Sequence, residues 1–205
     1  MTQSAKAHEP VQSLLWERWT PTMVQTRRGL TRWTPRGAEF FILHSALFIS
    51  NARMRALLQR VSSAQVSVDG KVVGAIGPGL LVLLGIHKTD TDADGDWIAR
   101  KILAIRIFED DAGKMNRSVQ EVGGGLLVVS QFTLYGSLLK GTRPGFSDAM
   151  PGPQAKVFYE AWMTKLRQSC SLKVEEGIFA ASMAVQLVND GPVTIMLDSR
   201  RKEDE

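Results

Sequence analysis

The sequence predicts an α+β fold, a compact mixed sheet carrying two main helices, and three observations lead there. Apolar and polar residues alternate through Ala64, Val66 and Val68, as in a half-buried strand. Two short runs, Leu80–Ile86 and Leu126–Phe132, are almost continuously apolar, as in strands buried on both faces. Between and after them lie two stretches with helical spacing.

In chain order, the strand through Ala64–Val68 meets Asp69-Gly70, the dipeptide of a type I′ turn. Lys71–Ile76 then returns as its hairpin partner, and Gly77-Pro78-Gly79 breaks the chain before Leu80–Ile86. A helix is expected over Asp92–Ile105, because Ile98, Ile102 and Ile105 share a face and acids crowd the first turn. A second helix is expected over Gln154–Leu166, with Val157, Phe158, Ala161 and Trp162 as its apolar stripe. Met183–Val188 and Val193–Leu197 read as two late strands joined by a turn at Asn189-Asp190-Gly191-Pro192. No internal repeat is visible.

The 205 residues carry a net charge of +4, but unevenly. Residues 1–53 hold seven Lys and Arg against three Glu, whereas the rest holds 18 of each sign. The basic excess is therefore confined to the first quarter, and residues 54–205 have no composition for a broad phosphate-gripping surface. Residues 1–53 show no sustained period, and their apolar run Phe40–Ile49 is too short to span a bilayer. They read first as sequence upstream of a true start at Met54, then as a transit segment, then as a folded extension. Residues 54–205 make the single main domain. One cysteine, Cys170, excludes a disulfide framework and a cysteine-built zinc site, and points to a reducing, cytoplasmic setting. Organellar import through residues 1–53 is the lesser alternative.

Several familiar patterns fail on inspection. Asp90, Asp92 and Asp94 begin like a calcium loop, but the twelfth position is Lys101 instead of a bidentate Glu. The acids read as helix-capping residues. Gly77-Pro78-Gly79 lacks the third glycine of a dinucleotide fingerprint, since Val82 stands there. Gly123-Gly124-Gly125 lacks the Lys-Ser/Thr of a P-loop. His87, the one histidine beyond Met54, reads as structural. No metal or cofactor is expected.

Two polar segments remain. Ser130-Gln131-Phe132-Thr133-Leu134-Tyr135 follows a buried strand, where polar groups face either a cleft or their own backbone. Asn189–Thr194 alone would be an ordinary connection. Taken with Met54–Val61, Gly77–Gly85 and Lys114-Met115-Asn116, in this order, they resemble the D-aminoacyl-tRNA deacylase family across residues 54–199. Family members start at a methionine that matches Met54.

The resemblance implies a barrel-like homodimer that hydrolyses the ester between a D-amino acid, or glycine, and the terminal adenosine of tRNA. Ser130, Gln131, Phe132 and Thr133 would line the pocket, and a cis Gly191-Pro192 pair would reach into the partner subunit's pocket. Amides of Phe132 and Thr133 would stabilise the oxyanion, and the ribose 2′-hydroxyl would assist the attacking water. Thr133 is expected to position rather than attack, because nothing nearby in sequence would deprotonate it. Phe179 and Met183 match a Phe-Gly-Ala-x-Met stretch near the adenosine, with Ala180 in place of its glycine. Core packing is the alternative for both. Lys140 and Arg143 match a basic loop, Lys-Gly-x-x-Pro-x-Phe, and either touch acceptor-end phosphates or are ordinary solvated charges. The expected partners are the aminoacyl-tRNA 3′ end and a second copy, with neither DNA nor membrane. The competing readings are an aminoacyl-tRNA-binding module without turnover and a deacylase of relaxed chirality.

Overall fold

A strand of 14 residues organises the sheet, and it ends where the sequence demands a turn. The computed structural model describes residues 54–199, and ahead of them two paired strands, Val24–Gln25 (β1) and Thr31–Arg32 (β2). The expectations for the remainder of residues 1–53 lie outside the described residues. Ile49–Glu205 forms one compact unit of the chain and Met1–Phe48 another.

β3 (Arg55–Val68) runs into Asp69 and Gly70, both at positive φ (48° and 75°), and Val68 faces Lys71 across the turn. This is the expected two-residue type I′ turn, in which both central residues need φ above zero. β4 (Lys71–Ile76) returns along the far half of β3. β5 (Gly79–Gly85) then pairs antiparallel with the near half, Arg55 facing Gly85 and Val61 facing Gly79. α1 (Asp92–Ala104) follows, then a small antiparallel pair, β6 (Arg106–Glu109) and β7 (Met115–Ser118). β8 (Gly125–Ser130) lies parallel to β5. α2 (Gly152–Ser169) carries the chain across again to β9 (Val174–Glu176), parallel to β8. β10 (Ala184–Asp198) closes the order β10-β3-β5-β8-β9.

The sheet curls until β4 meets β9. Lys173 Nζ donates to the Ala75 carbonyl at 2.8 Å, and a Cβ on Gly74 would stand 2.8 Å from the Glu176 carbonyl oxygen. The result is a nearly closed, barrel-like mixed sheet with two helices, as expected.

Burial on both faces explains the apolar runs. Leu80, Val82 and Leu84 join Leu126 and Val128 in a core shared with Ile98, Ile102, Trp162 and Leu166 of the helices. Leu81, Leu127 and Val129 face the other way, into a second cluster with Val61, Val66 and Ile76. The helices meet at Gly95, whose carbonyl accepts the Trp162 indole N–H at 2.8 Å. The acids read as capping residues do cap α1. Thr91 is the N-cap, its hydroxyl donates to Asp94 at 2.7 Å, and Asp92 pairs with Lys165 of α2 at 2.9 Å. Among the described residues no helix is long and apolar enough to cross a membrane.

Three expectations need correction. The buried face of α2 is Ala155, Tyr159, Trp162, Met163 and Leu166, while Ala161 is exposed, Phe158 only half-buried and Val157 69% exposed. The sequence offers apolar residues on two faces, and the one that is buried includes Tyr159. Burial uses its ring and lets the hydroxyl donate to the Val128 carbonyl at 3.3 Å. The buried strand stops at Ser130 rather than Phe132, because Leu134 N–H turns back to the Gln131 carbonyl at 3.3 Å. Finally, the two late strands are one strand. Both halves of β10 pair with β3, and Asn189-Asp190-Gly191-Pro192 belongs to a bulge rather than a turn between strands.

Gly79 has a φ of 158°, and a Cβ there would overlap the Gly125 backbone. Gly79→Ala is therefore expected to cost roughly 2–4 kcal/mol, measured by urea unfolding, as the β5–β8 pair is forced apart.

Candidate functional site

The site forms where the parallel strands end. Leu84 and Ser130 are register partners, and Gln131 N–H closes the ladder on the Leu84 carbonyl at 2.7 Å. The chain then winds into a 3-10 turn over Phe132–Tyr135. Phe132 and Thr133 supply the first two amides of that turn, positions that find no partner within the turn itself.

The turn is fixed from behind. Tyr135 is buried, and its hydroxyl donates to the Gly85 carbonyl at 3.2 Å. Arg55 Nη1 donates to the Leu134 carbonyl at 2.9 Å, and its guanidinium stacks 5.1 Å from the Tyr135 ring centre. Burial pushes the Tyr135 and Tyr159 phenols up, so both remain protonated donors at neutral pH. In front, the Gln131 side-chain amide donates to the Thr133 hydroxyl.

A cavity of about 610 Å³ opens beside this turn. Its floor is Leu84, Ile86, Val129 and Ser130, and Gln131, Phe132 and Phe146 form one wall. Met150, Pro151, Gly152 and Ala155, around the start of α2, and Phe179, Ala180, Ala181 and Met183 form the others. Every lining residue is uncharged, so the cavity offers hydrogen-bonding and apolar groups but no side-chain base. Phe132 is 57% exposed at the rim, edge-on to Phe146 at 5.0 Å. Phe179 packs against Tyr159 at 5.6 Å. It thus lines the cavity and touches the core at once. Among the described residues no group of three His, Cys, Asp or Glu side chains could hold a metal.

The structure thus brings Ser130, Gln131, Phe132, Phe179 and Met183 to one cavity, with Thr133 beside it. It does not bring Gly191, Pro192, Lys140 or Arg143 there. Lys140 and Arg143 are exposed on the loop between the 3-10 turn and α2. Gly191 and Pro192 are exposed on the β10 bulge, and their peptide bond is cis. His87 is buried with Nδ1 2.8 Å from the Thr89 hydroxyl oxygen and does not line the cavity.

Sequence reasoning missed two contributors. One is the cavity wall of Met150, Pro151, Gly152 and Ala155 at the start of α2. The other is Arg60. Asn189 faces Val61 and Thr194 faces Gln59, so residues 190–193 stand opposite Arg60 alone. Arg60 is 7% exposed and donates to the Ile107 carbonyl at 2.6 Å and the Asp190 carbonyl at 3.1 Å. It also pairs with the Asp190 carboxylate at 3.0 Å. Asn189 Nδ2 returns a bond to the Arg60 carbonyl at 2.8 Å. A buried arginine thereby holds the bulge that presents Gly191-Pro192. An arginine inside an apolar strand was the available signal.

The sequence and the curled mixed sheet of this chain both have known counterparts. Residues 57–198 match the family described as D-Tyr-tRNA(Tyr) deacylase. A D-aminoacyl-tRNA deacylase of Anaeromyxobacter dehalogenans is 61% identical over 148 residues, covering 72% of this chain and 99% of the relative. Another, of Opitutus terrae, is 55% identical over 150 residues, covering 73% and 100%. A solved structure of the c-Myc DNA Unwinding Element Binding Protein is 45% identical, with a TM-score of 0.67 over 70% of this chain and 97% of that one. A probable eukaryotic D-amino acid tRNA deacylase, 19% identical, shares the fold with a TM-score of 0.62 over 71% and 98%. The chain belongs to the D-aminoacyl-tRNA deacylase family. It is an enzyme of the hydrolase class, acting on an ester bond.

Ala180, at the cavity wall, has a φ of 63°, so an alanine adopts the glycine conformation that its position in the motif suggested. A left-handed backbone costs an L-residue about 1–2 kcal/mol, and glycine gives back about 0.5–1 kcal/mol in unfolded-chain entropy. Ala180→Gly is expected to raise unfolding stability by about 0.5–1 kcal/mol, checked by urea titration.

Proposed function

We propose that this chain is a tRNA-proofreading hydrolase that releases D-amino acids, and glycine, from the 3′ end of tRNA. The observation that carries the reading is the uncharged cavity ending in the Gln131–Tyr135 turn. An aminoacyl ester is already reactive, so oriented amides suffice where a stable ester would need a strong base. The Phe132 and Thr133 amides take the developing oxyanion, a contribution of roughly 10²–10³ in rate per donor. The neighbouring ribose 2′-hydroxyl assists the water. The exposed Phe132 ring and Phe179 offer faces for the terminal adenine.

Chiral selection is assigned to Gly191-Pro192 of a second copy. These residues are exposed, rigidly based through Arg60, and absent from their own cavity, which suits a role across a dimer interface. Backbone carbonyls there hold the substrate ammonium and wall off the side on which an L side chain would project. Glycine has no such side chain and passes. Lys140 and Arg143 meet acceptor-end phosphates, and the enzyme works in the cytoplasm without a cofactor.

The deciding experiment follows hydrolysis of D-Tyr-tRNA, L-Tyr-tRNA and Gly-tRNA side by side. Rapid loss of the D-tyrosyl and glycyl esters with the L-ester intact is the expected result. Loss of both tyrosyl esters indicates relaxed chirality, and loss of none from a folded protein indicates a binding module. Thr133→Ala is expected to slow D-Tyr-tRNA hydrolysis about tenfold, the effect of one positioning hydrogen bond. Mass spectrometry should find no acyl group on Thr133 during turnover, and an adduct there overturns the positioning role. With two or three phosphates contacted, log affinity for tRNA should fall with log salt with a slope of about −2. A slope near −10 contradicts the small footprint.

A further inference from the structure

A half-buried carboxylate with one buried, unsatisfied oxygen lies beside the beginning of β3. Asp90 Oδ2 accepts the His87 amide at 2.6 Å, but Oδ1 is buried without a hydrogen-bond partner among the described residues. The group facing it is the backbone nitrogen of Met54. Met54 is completely buried and held in place, its carbonyl accepting the Ser199 amide at 3.0 Å. Two more carboxylates approach from other elements, Asp94 from α1 and Asp198 from β10. Asp94 accepts the Ser199 hydroxyl at 3.1 Å, and Asp198 pairs with Arg55 at 3.3 Å. A peptide N–H at Met54 supplies one donor and no charge to this acidic surrounding. A free α-amine supplies three donors and a positive charge.

A second observation, independent of the side chains, points to the same atom. The relatives from Anaeromyxobacter dehalogenans and Opitutus terrae are matched over 99% and 100% of their own length by 148 and 150 residues of this chain. The family match itself begins at residue 57. Spans of 148 and 150 residues that include 57–198 leave nearly all of residues 1–53 outside the match, and since they equal whole relatives, the part from Met54 onward is long enough to fold by itself.

We propose that the protein works with Met54 as its N-terminal residue, and that Asp90 is the binding site for the Met54 α-ammonium. The buried pair then satisfies Oδ1 and offsets the local excess of negative charge. Initiation at Met54 creates this terminus directly. Hydrolysis of the Arg53–Met54 peptide bond by a protease creates the same one, water supplying the carboxylate oxygen of Arg53 and the protons of the amine. The inference stands apart from the substrate reading, since it concerns stability and the state of an amine.

The full-length chain should carry the opposite signature. There, burial first and then the neighbouring Asp94 and Asp198 push the Asp90 carboxyl up to about 7, against the lowering effects of the His87 and Met54 amides. Arg55, the Tyr135 phenol and the buried His87 imidazole, 5.5 Å from the Tyr135 ring, also surround this cluster. An acid raised in the folded state keeps its proton where the unfolded chain has lost it. Stability therefore falls as pH rises from the ordinary carboxylate range through about 7.

The test compares the full chain with residues 54–205, each with Asp90 and with Asp90→Asn, by thermal unfolding at pH 7.5. In the chain starting at Met54 the substitution is expected to lower Tm by about 5–10 °C, because it breaks a buried ion pair. In the full chain it is expected to raise Tm, because it removes an uncompensated charge. The same sign in both chains overturns the proposal. One glycine added ahead of Met54 should convert the short chain to the full-chain response. The α-amine of the short chain should acylate at least tenfold more slowly than in its Asp90→Asn variant, and equal rates overturn the site. Intact-mass analysis of protein from its natural source should find Met54 at the N-terminus, and a mature chain that retains residues 1–53 overturns it. Met54→Leu in the natural gene separates the origins: the short form disappears if it arises by initiation and persists if it arises by cleavage.

Discussion

Two strands that run the same way cannot be joined by a hairpin, and the parallel pairing of β5 with β8 imposes that condition on everything around it. The chain must leave the end of β5, cross a face of the sheet through α1, and return at Gly125. It must do so again through α2 to reach β9. Both crossovers lay helices over one face, while the curl towards β4 closes the other, so the strands are buried on both sides. The pairing begins with backbone against backbone at Gly79 and Gly125, where no side chain fits. It ends with Leu84 beside Ser130, and the candidate site lies at that end.

Strand ends in a parallel sheet leave backbone groups without ladder partners, and the protein turns this into a site. Gln131 uses the Leu84 carbonyl near the end of β5, after which the chain winds into a 3-10 turn whose first two amides have no partner within it. Rigidity comes from buried supports rather than from the residues facing the cavity. Tyr135 reaches back to Gly85, and Arg55 clamps the carbonyl of Leu134. An oxyanion site works only if its donors do not reorganise, so under the proposed function these supports matter to rate as well as to stability. Arg60 does the corresponding work at the β10 bulge, where one buried guanidinium serves two carbonyls and a carboxylate.

Much of this was legible from residue types. Asp69-Gly70 named its turn, and the acids from Asp92 onward named a helix start, because both depend on local backbone geometry. Residue types left Ser130–Thr133 facing either a cleft or their own backbone; the family resemblance implied the pocket, and Ser130, Gln131 and Phe132 line the cavity. The face of α2 was misread, because Tyr159 is polar by its hydroxyl and buried by its ring, and only the nearby Val128 carbonyl decides between them. The Asn189–Pro192 segment was misread as a turn for a similar reason. Its composition suits a turn, but whether the flanking strands pair with each other or with a third is a matter of tertiary arrangement.

The sequence by itself determined the first hairpin, the two buried strands and both helices in their order, since periodicity and turn chemistry act over a few neighbouring residues. Only the tertiary structure decided which segments share a cavity. It put Phe179 and Met183 across from Gln131, and turned Gly191-Pro192 away from the cavity of its own chain. It also brought Asp90 to the nitrogen of Met54. Such contacts join residues dozens of positions apart, and their energies depend on burial and on partners that the local sequence does not encode.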